Sequence, residues 1–177
     1  PHAGHTHISL IALKKLKLDA VWWLVSPNHP LKSNPMFDFE ERMERCRVHT
    51  SAHPRIIITG LECELGTSYT IDTVRRLQST YSATAFVWLT GTENAQSLHK
   101  WKDWRGILNH IATAHMSRPP MESIVRNCPL KMLNNQTHIH VTSAIAAPLV
   151  PRTTFWITQE RALWVSSTAL RAQMQNG

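Results

Sequence analysis

The sequence predicts an α/β protein with a doubly wound parallel sheet between two layers of helices, a three-layer α/β/α architecture. Short continuous apolar runs, typical of strands buried on both faces, occur at residues 21–25, 55–59 and 84–90. Amphipathic segments with helical spacing separate these runs, which is the pattern of right-handed βαβ units. The 177 residues suffice for one domain with a substantial core, so we expect a single domain over residues 1–177.

The helices and strands are predicted from the spacing of apolar residues and from the turn and capping residues between them. We expect helices over residues 5–17, 37–49, 70–81, 100–111 and 166–174, and strands over residues 21–25, 55–59, 84–90, 137–142 and 153–158. Thr70 is expected to cap its helix, and Gly91 to end the third strand. Because a doubly wound sheet normally begins with a strand, we expect an N-terminal strand and its following loop to be missing from this sequence.

The composition favours a small anionic ligand. The formal net charge is +7, which points to an anionic partner, but the basic residues are dispersed, so we expect no nucleic acid.

No apolar run approaches the roughly 20 residues of a membrane helix, and no export leader is visible, so we expect no membrane association and a cytoplasmic location. Cys46, Cys63 and Cys128 lack disulfide or zinc-ribbon spacing and are expected to be buried free thiols. The sequence leaves the oligomeric state open.

Three histidines stand in the first seven residues, PHAGHTH. Gly4 is predicted one residue before a helix, whose N-terminus presents free N–H groups and partial positive charge suited to phosphate. His2 and His5 would add donors whose protonation a bound anion favours. One alternative is a surface cluster without a role. Another is a transition-metal site through His2, His5 and His7, although no Asp, Glu or Cys nearby completes a ligand set.

A second candidate phosphate site is VSSTALR, residues 165–171. Ser166, Ser167 and Thr168 stand at a predicted helix start, where hydroxyls and backbone N–H groups can converge on phosphate oxygens. Arg171 projects from the same face one turn later, so its guanidinium can hold the same phosphates. The alternative is an ordinary Ser/Thr helix cap.

Together these ends, HxGH and VSSTALR, resemble the bacterial nicotinate-mononucleotide adenylyltransferases of the HxGH nucleotidyltransferase superfamily. The resemblance covers essentially the whole chain and includes LDAVWWLVSPNHPLK, GTSYTIDTVRRL, FVWLTGTENAQSLHKWKDWRGIL and SRPP. It implies a Rossmann-like nucleotidyltransferase fold and the joining of ATP and nicotinate mononucleotide to nicotinate adenine dinucleotide and pyrophosphate, a step of NAD biosynthesis. The family's glycine-rich stretch before PHAGH is absent from this sequence, and SRPP stands where the family has Arg-Pro-Gly.

The resemblance implies roles at the matching positions. Those for ATP are His2, Gly4, His5, Glu93, Ser166, Ser167, Thr168 and Arg171. His5, Arg171 and Lys32 would be catalytic, with His5 near the bond being broken and Lys32 adding charge near the transferred phosphate. Glu93 stands where the family has Asp beside the ribose and adenine. Mg²⁺ is expected to arrive with ATP, and no metal ligand is assigned to the protein.

For the mononucleotide, the resemblance implies backbone donors at Ser68, Tyr69 and Thr70 and a stacking ring at Trp101. Core packing is the alternative for Trp101, and Lys32 could simply be a solvated lysine. Three other functions stay open: a nucleotide-binding module without turnover, an adenylyltransferase for another phosphorylated acceptor such as nicotinamide mononucleotide or phosphopantetheine, and a zinc-binding protein. His138 and His140 share one face of a predicted strand and are expected at the surface.

Overall fold

The structure is a computed structural model that describes residues 1–26, 37–117 and 128–157. The described helices are α1 Ala3–Lys15, α2 Phe39–Thr50, α3 Leu61–Glu64, α4 Thr70–Thr80, α5 Thr92–Ser97 and α6 Trp104–His110. The described strands are β1 Val21–Leu24, β2 Ile56–Thr59, β3 Val87–Gly91, β4 Ala112–Met116, β5 Thr137–Val141 and β6 Thr153–Ile157. The described residues also include 3₁₀ turns at Leu98–Lys100 and Pro129–Met132.

The described residues fall into two units that divide between Ser68 and Tyr69. In the first unit, β1 and β2 pair in parallel, from Val21 opposite Ile56 to the last residues of both strands. The helix α2 covers this pair with an apolar face. Its core cluster consists of Val25, Met43 and Cys46, with Trp23, Phe39 and Ile58 packed against it.

Helix α1 ends in a turn that needs a left-handed residue. Lys17 has φ 50°, and the N–H of Leu18 donates to the carbonyl of Leu13 over 3.1 Å. This is the Schellman arrangement, in which glycine is the preferred residue at the position of Lys17. Leu18 is buried and so fixes the chain's turn towards β1.

The second unit contains a four-stranded sheet in the order β3-β4-β6-β5, and each pairing is parallel. The central strand β4 is buried along all five residues, as expected of a parallel strand covered on both faces. Parallel pairing in both units, with helices packed beside the strands, confirms the predicted α/β class. The prediction of one domain over the whole chain stays a prediction.

Helices α4, α5 and α6 cover the sheet face that carries Trp88 and Trp156. The first buried cluster there is Ala95, Leu98, Leu108, Cys128, Leu130 and Trp156. The second is Ile71, Val74, Ile107 and Ile111. Trp101 packs against both clusters, so its position is fixed by two parts of one core.

Several predicted boundaries are wrong, and each has a local cause. Helix α1 begins at Ala3 rather than residue 5. The helix predicted at 100 begins at Trp104, because Asp103 adopts a left-handed conformation and caps it. Thr70 is the first helical residue, and Tyr69 is the N-cap. Strand β3 begins at Val87 rather than at residue 84, but it ends at Gly91 as expected, and Gly91 also caps α5. The helix predicted over residues 166–174 lies outside the described residues.

None of the helices in the described part of the chain is long and apolar enough to cross a membrane.

Candidate functional site

The first candidate residues stand at the start of α1. His2 is the N-cap, with its backbone extended and its Nδ1 accepting the Gly4 N–H over 3.1 Å. Gly4 therefore lies within the first helical turn, so the prediction that it precedes the helix is wrong. The imidazole occupies the capping place usually taken by Ser, Thr, Asp or Asn, which is why the sequence pattern did not place the boundary here.

This cap determines the proton arrangement of His2. A ring nitrogen that accepts an N–H carries no proton, so the His2 proton is assigned to Nε2 and the ring is neutral. The expected effect of a bound anion on the protonation of His2 stays a prediction. His2 is buried, with 5% of the residue exposed, so the orientation of its ring is held by packing as well as by the cap.

His5 is exposed, and its ring contacts the rings of His2 and Trp23. Its ring centroid lies 4.0 Å from that of His2 and 6.0 Å, edge to face, from that of Trp23. Trp23 Nε1 donates to Ser9 Oγ over 2.9 Å, and Ser9 Oγ donates to the His5 carbonyl over 2.9 Å. Trp23 stands near the carboxyl end of β1. The start of α1 thus lies at the edge where open α/β sheets bind ligands.

The helical start also bears on the metal-site alternative. His5 and His7 both lie within α1, and helical residues two apart point to different sides. One ion would therefore not be reached by both rings without unwinding the helix. Within residues 1–26, 37–117 and 128–157, no three His, Cys, Asp or Glu side chains form a group that could hold a metal ion.

Glu93 is in the first turn of α5, directly after the carboxyl end of β3. A β-carbon at Gly91 would clash with both Glu93 carboxylate oxygens, so the half-buried side chain folds back over the Gly91 backbone. A larger residue at position 91 would therefore displace the Glu93 carboxylate from this place. The structure places Glu93 at the edge of the second unit's sheet, where a ligand is expected.

Helix α4 begins without a side-chain cap in the described part of the chain. Tyr69 is 49% exposed, and its carbonyl accepts from the N–H groups of Asp72 and Thr73. The Thr70 amide is the first of the helix and has no acceptor one turn before it within the helix. Amides in this position are suited to a carboxylate. Ser68 is also exposed and belongs to the first unit.

Trp101 follows the 3₁₀ turn at Leu98–Lys100 and is half-buried. Part of its ring packs into the core, as the alternative expected, and the rest is accessible. The next residue, Lys102, places its Nζ 4.3 Å from the centre of the Tyr69 ring and 3.0 Å from Asp72 Oδ2. The structure therefore places Lys102, the residue next to the predicted stacking residue Trp101, against Tyr69 and the first turn of α4. Lys32, Ser166, Ser167, Thr168 and Arg171 lie outside the described residues.

Sequence reasoning missed a buried polar group in the second sheet. His115 is 1% exposed, and its Nδ1 lies 2.7 Å from Thr90 Oγ1. Burial, with a smaller effect of the neighbouring His138 charge, lowers the pKa of His115 to about 3. The rings of both histidines tilt against Trp156, at 5.2 Å and 6.0 Å. No sequence signal separated His115 from an exposed histidine, because β4 itself was not predicted.

His138 is half-buried, so its predicted exposure is wrong, whereas His140 is exposed as expected. The cause is Trp156 on the adjacent strand, whose Nε1 donates to His138 Nδ1 over 3.1 Å. Burial, followed by the charges of Lys131 and His140, lowers the pKa of His138. Among the described residues, the buried Nε2 atoms of His115 and His138 have no hydrogen-bond partner. Cys46 and Cys128 are buried as expected, but Cys63 is exposed.

The amino-acid sequence is similar to known proteins over nearly its whole length. The cytidylyltransferase-like family profile matches residues 1–173. A Cereibacter sphaeroides protein named probable nicotinate-nucleotide adenylyltransferase is 37% identical over 173 residues, which is 97% of this chain and 91% of that relative. Proteins of the same name from Ruegeria pomeroyi and Erythrobacter litoralis are 44% identical over 119 and 118 residues. These two alignments cover 67% of this chain and 55% and 54% of the relatives.

Proposed function

The chain belongs to the cytidylyltransferase-like family, and we propose that it joins ATP and nicotinate mononucleotide to form nicotinate adenine dinucleotide and pyrophosphate. One observation carries the proposal: the relative that aligns with 97% of the chain has the name of this activity. The start of α1 supports it, because His2 and His5 stand at the carboxyl edge of β1, where phosphates bind in open α/β sheets. The activity is a step in NAD biosynthesis.

In the proposed reaction, a 5′-phosphate oxygen of the mononucleotide attacks the α-phosphorus of ATP in line. The new P–O bond forms as the bond from the α-phosphorus to the pyrophosphate oxygen breaks, and pyrophosphate leaves. The nucleophile is already an anion, so no general base is assigned. Catalysis then depends on positioning and on stabilising the charge that develops on the leaving group. This is the role we propose for His5, together with Lys32 and Arg171.

The other proposed contacts divide between the two substrates. For ATP, His2 contacts the phosphates, Gly4 allows close approach and Glu93 contacts the ribose. Ser166, Ser167 and Thr168 hold the triphosphate with Arg171. For the mononucleotide, Ser68, Tyr69 and Thr70 offer backbone donors to the nicotinate carboxylate, and Trp101 stacks on the ring. We expect Mg²⁺ to enter as part of the ATP complex, held by phosphate oxygens. No step is assigned to it.

We also propose that the protein works in the cytoplasm. The free thiols at Cys46, Cys63 and Cys128 support this, because thiols persist in reducing compartments.

The role of His5 is tested by the variant His5→Ala, with His49→Ala as the matched control. His49 is an exposed histidine on α2. Loss of a donor to the developing charge should lower kcat for pyrophosphate release about 100-fold or more, while the control stays near the wild-type rate. Thermal unfolding should be similar for all three proteins, because the His5 ring is exposed. An unchanged kcat in His5→Ala removes this residue from the mechanism.

Trp101→Ala tests the stacking role, with Trp104→Ala as its control. Trp104 packs against the first core cluster and has no proposed substrate contact. Loss of stacking should raise the Kd of nicotinate mononucleotide about fivefold to tenfold and leave the Kd of ATP nearly unchanged. Calorimetry measures both. An equal loss for the two ligands argues for a structural role only, and ATP binding without pyrophosphate release argues for a binding module.

A further inference from the structure

An ion-pair network joins the first two turns of α4 to the turn before α6. Lys102 Nζ lies 3.0 Å from Asp72 Oδ2, and Arg75 Nη2 lies 2.8 Å from Asp103 Oδ2. Arg75 also approaches the other Asp72 oxygen at 4.0 Å. The four charged groups therefore link Asp72 and Arg75 on one helix to two residues of a single turn, Lys102 and Asp103.

The turn is itself held in an unusual backbone conformation. Asp103 has φ 44°, a left-handed conformation that costs a non-glycine residue about 1 kcal/mol or more. Its carboxylate accepts the Gly106 N–H over 3.1 Å and would clash with a β-carbon at that position. The cap, the close approach of Gly106 and the Arg75 pair together keep the turn, and with it Trp101 and Lys102, in one arrangement.

The network adds little net charge and little stability. Two cations face two carboxylates, and the side chains of the Lys102 pair are 52% and 36% exposed. Exposed pairs of this kind contribute about 0.2–1 kcal/mol. Attraction of an anionic substrate and stabilisation of the fold are therefore weak explanations for it. The location of the network is informative, because the network joins Lys102, the residue after Trp101, to the start of α4, where Tyr69 is the N-cap.

Lys102 contacts both the Tyr69 ring and the first turn of α4. Its ammonium lies over the exposed Tyr69 ring, 4.3 Å from the centre, a cation–π geometry. The same ammonium pairs with Asp72 in the first turn of α4. One side chain thus fixes the Tyr69 ring and the α4 start relative to Trp101.

We propose that Lys102 is a positioning residue for nicotinate mononucleotide. It sets the spacing between the Trp101 ring and the amides that begin at Thr70, so that a pyridine ring and its carboxylate can be held together. This inference rests on the proposed function, which assigns these two elements to the mononucleotide. Lys102 itself acts through Tyr69 and Asp72.

The test uses Lys102→Met, which keeps the aliphatic stem and removes the ammonium, with Lys100→Met as the control. Lys100 is exposed and lies on the other side of Trp101. Loss of one ion pair and one cation–π contact should raise the KM for nicotinate mononucleotide about threefold to tenfold. The KM for ATP and kcat should change less than twofold. Lys102→Arg should restore most of the wild-type KM, because a guanidinium can pair with Asp72 and stack on Tyr69.

Asp72→Asn provides an independent check. Because Lys102 and Asp72 act as a pair, the double variant should raise the mononucleotide KM by less than the product of the two single effects. If wild-type protein forms the dinucleotide but Lys102→Met matches Lys100→Met, the positioning role is overturned and the proposed function stands. Equal KM changes for both substrates with a lowered melting temperature overturn it as well. If wild-type protein forms no dinucleotide, the proposed function fails and this inference fails with it.

Discussion

His115 should make the protein's stability depend on pH in a calculable way. In the folded chain, burial lowers its pKa to about 3, against 6.5 in an ordinary environment. The folded protein therefore binds no proton at His115 between these values, whereas the unfolded chain does. The contribution of neutral His115 is complete above about pH 6.5 and is lost as the pH falls towards 3.

The size of the effect follows from proton binding in the unfolded state. Between pH 7 and pH 5, His115 alone should lower the free energy of unfolding by about 2 kcal/mol. The lowered pKa of His138 acts in the same direction. His115→Asn removes the titrating group and offers an amide oxygen where Nδ1 meets Thr90. Its free energy of unfolding should therefore fall by about 2 kcal/mol less over this pH range than that of the wild type.

Urea denaturation at pH 7, 6 and 5 measures this difference, since it gives the free energy of unfolding at each pH. His49→Asn is the matched control, because His49 is exposed on α2, outside the sheet that carries His115 and His138, and it should keep the wild-type pH dependence. If His115→Asn loses as much stability between pH 7 and pH 5 as the wild type, the burial argument is refuted.

Two further sets of substitutions and one labelling experiment test the local structure. Lys17→Gly should raise the free energy of unfolding by about 0.5–1 kcal/mol, because glycine adopts the left-handed helix end without strain; a lower melting temperature would contradict this. His2→Ala should cost about 1 kcal/mol through loss of the α1 cap, while His2→Asn should preserve it; equal losses in thermal unfolding would disprove the cap. A thiol reagent should label Cys63 rapidly in the native protein, whereas Cys46 and Cys128 should react only on unfolding, and rapid labelling of all three would contradict their burial.

The fold class could be predicted because the apolar runs of buried parallel strands are distinct from amphipathic helices. The runs at 21–25 and 55–59 correspond to β1 and β2 within a residue at either end. β4 was missed because its five residues, ATAHM, include alanine, threonine and histidine rather than branched apolar side chains. Such a strand is specified by its position between β3 and β6, which local sequence does not encode.

The site was predicted in part for a similar reason. The sequence motifs identified His2, His5 and Trp101 as candidate site residues. They did not predict that His2 is a helix cap or that Trp101 lies outside its expected helix. Both depend on a side chain bonded to nearby backbone: the His2 ring with Gly4 in one case and the Asp103 carboxylate with Gly106 in the other. Histidine is not a usual capping residue, and a left-handed Asp is uncommon. The contact of Lys102 with Tyr69 spans 33 positions and has no local signature.

The most direct test of adenylyl transfer is to incubate the protein with nicotinate mononucleotide and with ATP that is radioactively labelled at the α-phosphate. Adenylyl transfer predicts that the label appears in nicotinate adenine dinucleotide while one pyrophosphate is released for each dinucleotide formed. Label that stays in ATP, or that passes to AMP or ADP without dinucleotide, would contradict it.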